Sequence, residues 1–298
     1  MQKGIQNLRD FGRLALAAGK GWRRDGAASM GAALAFYTLF SMAPLLLLVI
    51  AIAGLAIGSE TARDLLMTQL TALVGDRGAA AIRSLLEASD TRSKTWIAAA
   101  ISMVTLVLGA SSVFAELRND LDRIWRYEQP PKPGVWAFVR DKVLSVGMIL
   151  TIGFLLMVSL VVSAAVSAIG HFWAGAMPGS TIVLQALDLL GSFLVFTGLF
   201  AAIYKILPNV RIEWSDVWVG AAVTSLLFWI GKWLIGLYIA HSAVAGPFGA
   251  AGTLIIVILW VYYSAQIFFL GAEFTREYAL RRGSLMAGAA AKAGATPA

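Results

Sequence analysis

The sequence predicts an all-α membrane protein: a six-transmembrane-helix bundle with an amphipathic N-terminal helix and a short extracytoplasmic helical pair between spans 1 and 2. Three observations predict it. Of the 298 residues, 59% are apolar and 14% charged, a balance that suits lipid as the main solvent better than water. Six stretches are each long enough to cross a hydrocarbon core of about 30 Å, which takes roughly 20 mostly apolar residues in a helix that satisfies its own backbone groups. The basic residues also segregate: with six crossings, 18 of the 24 Lys and Arg fall on one side and five on the other, with Lys232 inside a span. The positive-inside rule makes the richer side cytoplasmic. The expectation is a multi-pass protein of a bacterial inner membrane with both termini in the cytoplasm.

Residues 1–32 form a cytoplasmic or interfacial arm. Arg9, Arg13, Lys20 and Arg24 recur at helical spacing, while Leu8, Phe11, Ala15 and Trp22 line another face. Such a helix can be drawn to anionic headgroups, each basic residue near the surface being worth about 1 kcal/mol, or it can pack across the cytoplasmic face of the bundle; both readings stay open. The first thirty residues lack the compact apolar core and small-residue cleavage site of a signal peptide, so the start is expected to be kept. The membrane domain runs over 33–275, with spans at Ala33–Ile57, Trp96–Ala115, Val143–Ile169, Ile182–Leu207, Val217–Ala240 and Thr253–Phe274.

Between the first two spans lies an outer helical insertion over 60–94, in which five acids balance five bases. Leu66, Leu70 and Leu73, then Ile82 and Leu86, sit at helical spacing; Gly75 breaks the pattern and Asp76 can cap a second helix, which predicts two short helices. The outer connections His171–Thr181 and His241–Gly252 carry no Lys, Arg, Asp or Glu, and Gly246, Pro247 and Gly249 permit either a tight interfacial turn or a re-entrant one. Residues 276–298 are expected to be a basic, disordered cytoplasmic tail.

Ionisable groups inside spans are the sharpest functional signal, since Lys or Asp near a helix centre costs about 2.5–3.5 kcal/mol on insertion scales. Asp188 lies some 9 Å into the fourth span from the outer side and Lys232 some 12 Å into the fifth, by a rise of about 1.5 Å per residue. They can meet as an ion pair or bracket a substrate path. Tyr37, Thr38 and Ser41 precede Pro44 in the first span, where a kink near Phe40 would free backbone groups beside three hydroxyls. These six residues form the expected substrate path. Gly54 with Gly58, and Ala27 with Gly31 and Ala35, are small-xxx-small pairs suited to close helix approach. A cytoplasmic charge cluster is expected from Glu116, Arg118, Asp122 and Arg123 after the second span and Glu273 and Arg276 after the sixth, as interhelical salt bridges or as a gate.

Enzyme classes fail on inventory. There is no cysteine, His171 and His241 both fall on the outer side, and neither a Walker loop nor a dinucleotide fingerprint is present. No catalytic residue, metal site or cofactor is expected. Membrane lipids are the expected partners, with anionic headgroups at the N-terminal arm; the net charge of +7 is absorbed by orientation, so nucleic acid is not expected, and a homo-oligomer is compatible with the sequence.

The stretches Ala33–Leu46 (ALAFYTLFSMAPLL), Gly109–Trp125 (GASSVFAELRNDLDRIW), Tyr204–Trp214 (YKILPNVRIEW), Gly231–Tyr238 and Leu259–Glu273 (LWVYYSAQIFFLGAE) touch five spans. On them the chain resembles the YihY / virulence factor BrkB family, historically labelled ribonuclease BN. The resemblance implies a six-span inner-membrane protein, with transport of lipids or other envelope compounds among the suggested roles. The nuclease label conflicts with the residues, because hydrolysis of RNA would call for metal-binding groups and a basic, aromatic groove on the cytoplasmic side. Two functions are therefore expected as alternatives: a transporter or lipid-translocating protein of the cell envelope, or a non-transporting membrane scaffold for envelope assembly.

Overall fold

The computed structural model describes residues 2–90, 112–127, 180–210, 212–241 and 252–285. Among them all regular structure is helical: α1 (Gln2–Arg24), α2 (Ala27–Ile57), α3 (Ser59–Asp90), α4 over 112–124, α5 (Ser180–Ile206), α6 (Trp214–His241) and α7 (Gly252–Arg281). The third predicted span, most of the second and nearly all of the two uncharged outer connections lie outside the described residues. Three described helices are long and apolar enough to cross a membrane, over Leu189–Ile206, Trp214–Ile239 and Leu254–Arg281. These correspond to the predicted fourth, fifth and sixth spans.

The first predicted span sits in α2, which starts six residues before Ala33. Gly26, with φ 75°, turns the chain out of α1, and α2 begins immediately after it. Its helix continues through Pro44 to Ile57. Gly58, at φ 86°, then ends it, its N–H bonding the Gly54 carbonyl at 2.9 Å. Only glycine adopts that backbone readily. Gly54 and Gly58 therefore build the turn into α3, where Ser59 is the nearest neighbour of Gly54 among the described residues.

The predicted outer helical pair is one helix. α3 runs unbroken from Ser59 to Asp90, across Gly75. A glycine inside a helix costs about 1 kcal/mol relative to alanine, and residues on both sides of Gly75, among them Met67, Ala79, Ile82 and Leu86, are buried in one apolar core. Burial of large apolar side chains, at about 1.5–3 kcal/mol each, outweighs that propensity. The tail is corrected as well: α7 extends to Arg281, with Arg276 and Ala279 buried, and turns continue through Leu285. Residues 286–298 lie outside the described residues.

The described residues fall into two compact units. One draws on Met1–Gly21, Leu121–Leu226 and Gly271–Ala298, the other on Trp22–Asp120 and Leu227–Leu270. In the second unit α2, α3 and α7 share a core of Ala35, Ile50, Met67, Ala81, Ile82, Leu86, Val257 and Val261. The small residues Ala27, Gly31 and Ala35 are buried, as the spacing predicts. Gln266 of α7 lies over Gly31 and donates to the Ala27 carbonyl at 3.2 Å.

In the first unit α6 and α7 run antiparallel and meet through a reciprocal device. Gly220 faces Thr275, and Gly271 faces Thr224; a Cβ added at either glycine would collide with the opposite threonine. Each threonine turns its hydroxyl onto the carbonyl of the glycine one turn earlier on its own helix, Thr224 to Gly220 and Thr275 to Gly271, both at 2.7 Å. The hydroxyls are thus satisfied locally, and the hydroxyl and methyl groups of each threonine take the space that a Cβ on the opposing glycine would need. α4 ends in a six-to-one turn, the Tyr127 N–H bonding the Asp122 carbonyl at 2.8 Å and Arg126 taking φ 53°.

Gly220→Val or Gly271→Val should lower stability by about 1–3 kcal/mol through overpacking against a stiff β-branched partner. Gly236→Ala, with nothing within 4 Å of its added Cβ, should leave stability unchanged or raise it by up to about 1 kcal/mol. Thermal unfolding in detergent, monitored by intrinsic tryptophan fluorescence, separates the two classes; equal midpoints would remove the packing role assigned to the glycines.

Candidate functional site

Around the α5–α6 turn the first unit collects one end of several helices, and the polar groups there are fixed by specific donors. Asp122, at the end of α4 and 2% exposed, accepts the Asn209 backbone N–H at 2.8 Å and the Asn209 side-chain amide at 2.6 Å. One carboxylate so holds the short connection between α5 and α6. Lys205, in the last turn of α5, donates to the Ile212 carbonyl and lies 5.7 Å over the Trp214 ring. A cation at that place suits the unsatisfied carbonyls of a helix C-terminus. Tyr204 and Thr224 share a buried hydrogen bond of 3.1 Å. Asp216, in the first turn of α6, accepts the Ser284 N–H at 2.8 Å and hydroxyl at 2.7 Å, pinning the chain beyond α7.

Among the described residues Glu273 is the most enclosed charge. It is fully buried and lies against the backbone of α1 at Gly21, where any side chain would strike its carboxylate. Nearby, the Phe11 and Phe274 rings are 5.2 Å apart and Asp10 forms an ion pair with Arg282. Glu277 takes Arg276 on one oxygen and Arg281 on the other, each at 3.1 Å. α1 thus docks on the charged end of α7 through one apolar and one ionic contact, with Leu14 and Ala18 buried between. The arrangement clamps helix ends and covers a carboxylate at the end of a membrane-length apolar run.

The predicted charge cluster divides between the units. Asp122, Glu273 and Arg276 are buried in the first, where Arg123 is exposed; Glu116 and Arg118 are partly buried in the second. Among the predicted path residues, Tyr37 and Thr38 are partly buried on α2 and Ser41 is buried, donating to the Thr38 carbonyl at 3.2 Å. Pro44 and Asp188 lie within α2 and α5, but their side chains are outside the described set, and so is the expected meeting of Asp188 with Lys232. Lys232 is partly buried on α6 between exposed Trp229 and Trp233. Among the described residues, no three His, Cys, Asp or Glu side chains converge as metal ligands.

Asn209, Gly21, Ser284 and the two Gly-xxx-Thr pairs carry roles that sequence reasoning does not assign. The glycine and threonine spacing is readable in principle, since small residues four apart favour close helix contact. The partners of Asp122 and Asp216 are not, because they lie 87 and 68 residues away.

The family described as virulence factor BrkB matches residues 18–295. The chain belongs to this family. It is 26% identical over 254 residues to a UPF0761 membrane protein of Pseudomonas aeruginosa, covering 83% of this chain and 58% of that one. A UPF0761 membrane protein of Alteromonas mediterranea is 32% identical over 178 residues, 59% of this chain and 58% of the relative; one of Alkalilimnicola ehrlichii is 28% identical over 281 residues, 93% and 60%. The chain spans less than two thirds of the length of these curated relatives. No solved structure matches it. In this BrkB-family protein the matched region includes the helix-end clamps of Asp122, Lys205, Asp216 and Glu273, and leaves out the Asp10 and Phe11 contacts of α1.

Asp122→Ala should cost about 2–3 kcal/mol, since hydrogen bonds to a charged group are the stronger kind and the Asn209 donors would be left buried. Asp122→Asn should fall between the two. Limited proteolysis reports the effect directly, with cutting within 207–213 rising in the alanine variant; an unchanged cleavage pattern and midpoint would show that the connection is held by other contacts.

Proposed function

We propose that this BrkB-family membrane protein is a transporter or lipid-translocating protein of a bacterial cell envelope, seated in the inner membrane with both termini cytoplasmic, and that Lys232 is the counter-charge for an anionic substrate or headgroup. The observation that carries the reading is the position of that lysine. It stands in the apolar stretch Trp214–Ile239, seven residues or about 10 Å before its end. It is partly buried and has no ion pair among the described residues. An ammonium inside a membrane helix costs about 2.5–3.5 kcal/mol, and a transient anion offsets that cost. The exposed Trp229 and Trp233 beside it are amphipathic rings of the kind that sit where lipid meets polar groups. The reading includes no covalent chemistry, and the absence of nucleotide motifs from the sequence leaves a gradient or the substrate itself as the energy source.

The second reading, a non-transporting scaffold for envelope assembly, draws on the second unit. There α2, α3 and α7 pack aliphatic side chains closely, and the Ser41 hydroxyl is spent on its own helix.

Reconstitution separates the two. In proteoliposomes carrying fluorescent phospholipids and a panel of small anions, the wild type and Lys232→Arg should move at least one probe faster than protein-free vesicles. Lys232→Ala should lower that rate about tenfold, equivalent to about 1.4 kcal/mol of lost interaction. Wild-type rates equal to those of empty vesicles favour the scaffold; equal rates for the wild type and Lys232→Ala exclude the lysine.

A further inference from the structure

α1 has two faces: one packs against the fold, and the other touches it only where Arg13 reaches Asp10 of the same helix at 3.9 Å. Leu14 and Ala18 are buried, Gly21 abuts Glu273, Phe11 meets Phe274 and Asp10 pairs with Arg282. The opposite face carries Arg13, Leu16, Lys20 and Arg23, which succeed one another at intervals of three and four residues and so form a single stripe. All four are exposed; the Arg13 side chain is 75% exposed and Leu16 71%. A leucine left uncovered among three cations gains little from the fold itself.

The depth of α1 identifies what that stripe meets. α7 is apolar from Leu254 to Ala272, about 28 Å of helix, which matches a hydrocarbon core of about 30 Å. Its charged end comes directly after, with Glu273, Arg276, Glu277, Arg281 and Arg282. Glu273 and Phe274 of α7, and Arg282 just beyond it, contact α1. α1 is therefore tethered at the level where the last span leaves the hydrocarbon, which is the level of the headgroups.

We infer that the Arg13–Leu16–Lys20–Arg23 stripe of α1 binds the anionic surface of the bilayer, with the three cations on lipid phosphates and Leu16 entering the acyl boundary. Charge complementarity supplies the attraction and Leu16 the insertion, the two components of interfacial helix binding. One helix then joins the bundle to the lipid surface, its inner face holding the end of α7 and its outer face the headgroups.

The chain has no cysteine, so Leu16→Cys gives a single labelling site for an environment-sensitive fluorophore on the full-length protein. In nanodiscs of phosphatidylcholine mixed with phosphatidylglycerol, emission should shift to the blue and be quenched by lipid-borne nitroxides. In phosphatidylcholine alone, or at high salt, the shift should fall. Each change of Arg13, Lys20 or Arg23 to Gln should raise the anionic-lipid fraction needed for half the shift, the underlying affinity falling about fivefold per residue. Because these side chains are exposed, the variants should keep the wild-type thermal midpoint, and the salt arm needs no further variant. A label equally wet in both lipid mixtures, or one shifted only on adding RNA or a soluble acidic protein, overturns the inference.

Discussion

In lipid the hydrophobic effect does not drive one helix against another, because the acyl chains are as apolar as the side chains they would replace. Association has to come from packing and from polar groups that find partners. The antiparallel contact of α6 with α7 meets that demand through Gly220, Thr224, Gly271 and Thr275. Each glycine removes the side chain that would keep the backbones apart, and each threonine fills the vacated space while its hydroxyl is retained by its own helix at 2.7 Å. Both threonine hydroxyls are therefore satisfied within their own helices at the point of close approach. Everything fixed at the same end of the first unit is attached to these two helices: Asn209 precedes α6, Asp216 belongs to its first turn, Ser284 lies just beyond α7, and α1 lies against Glu273 and Phe274.

The charged clamps act on helix ends, and their chemistry suits that place. Terminal N–H and C=O groups lack partners within the helix, and loops joining spans would otherwise sample many conformations at an entropic cost of about 1–2 kcal/mol per residue fixed. Asp122 holds the α5–α6 connection by both its oxygens, Asp216 holds the chain beyond α7 by its N–H and hydroxyl donors, and Lys205 covers the carbonyl end approaching α6. Mixed charges beyond the second and sixth spans predict salt bridges between helices. Asp122 also accepts the two N–H groups of Asn209, which position the chain. The ion pairs of Glu277 with Arg276 and Arg281 run along one helix, and the Asp10–Arg282 pair joins two.

Length and period are what make part of the fold legible in the sequence. Apolar runs near 20 residues locate α5 and α6 to within three residues and the start of α7 to within one, while α7 runs seven residues past the predicted end; the basic period of the first 24 residues locates α1. The small residues at Ala27, Gly31 and Ala35 mark a true close contact, while the equally good pattern at Gly54 and Gly58 marks a turn; spacing alone does not distinguish the two, since both need a missing Cβ. Gly75 misleads as a helix break because propensity is local and the core that overrides it, reaching from Ala35 to Val261, is not. The same limit hides Gly21: a glycine in a basic arm carries no mark that a carboxylate more than 250 positions away needs its space.

Two kinds of charge can therefore be told apart by what surrounds them. Asp122 and Asp216 are buried and each is matched by two donors; removing such a group leaves buried donors behind, and its value is architectural. Lys232 and the stripe on α1 differ. Lys232 stands in an apolar helix without an ion pair among the described residues, and Arg13, Lys20 and Arg23 are exposed around a leucine that the fold does not bury. Both groups are cationic, one inside an apolar helix and the other at the level where α7 leaves its apolar run, and the proposals made for each call on the same ligand chemistry, an anionic phosphate.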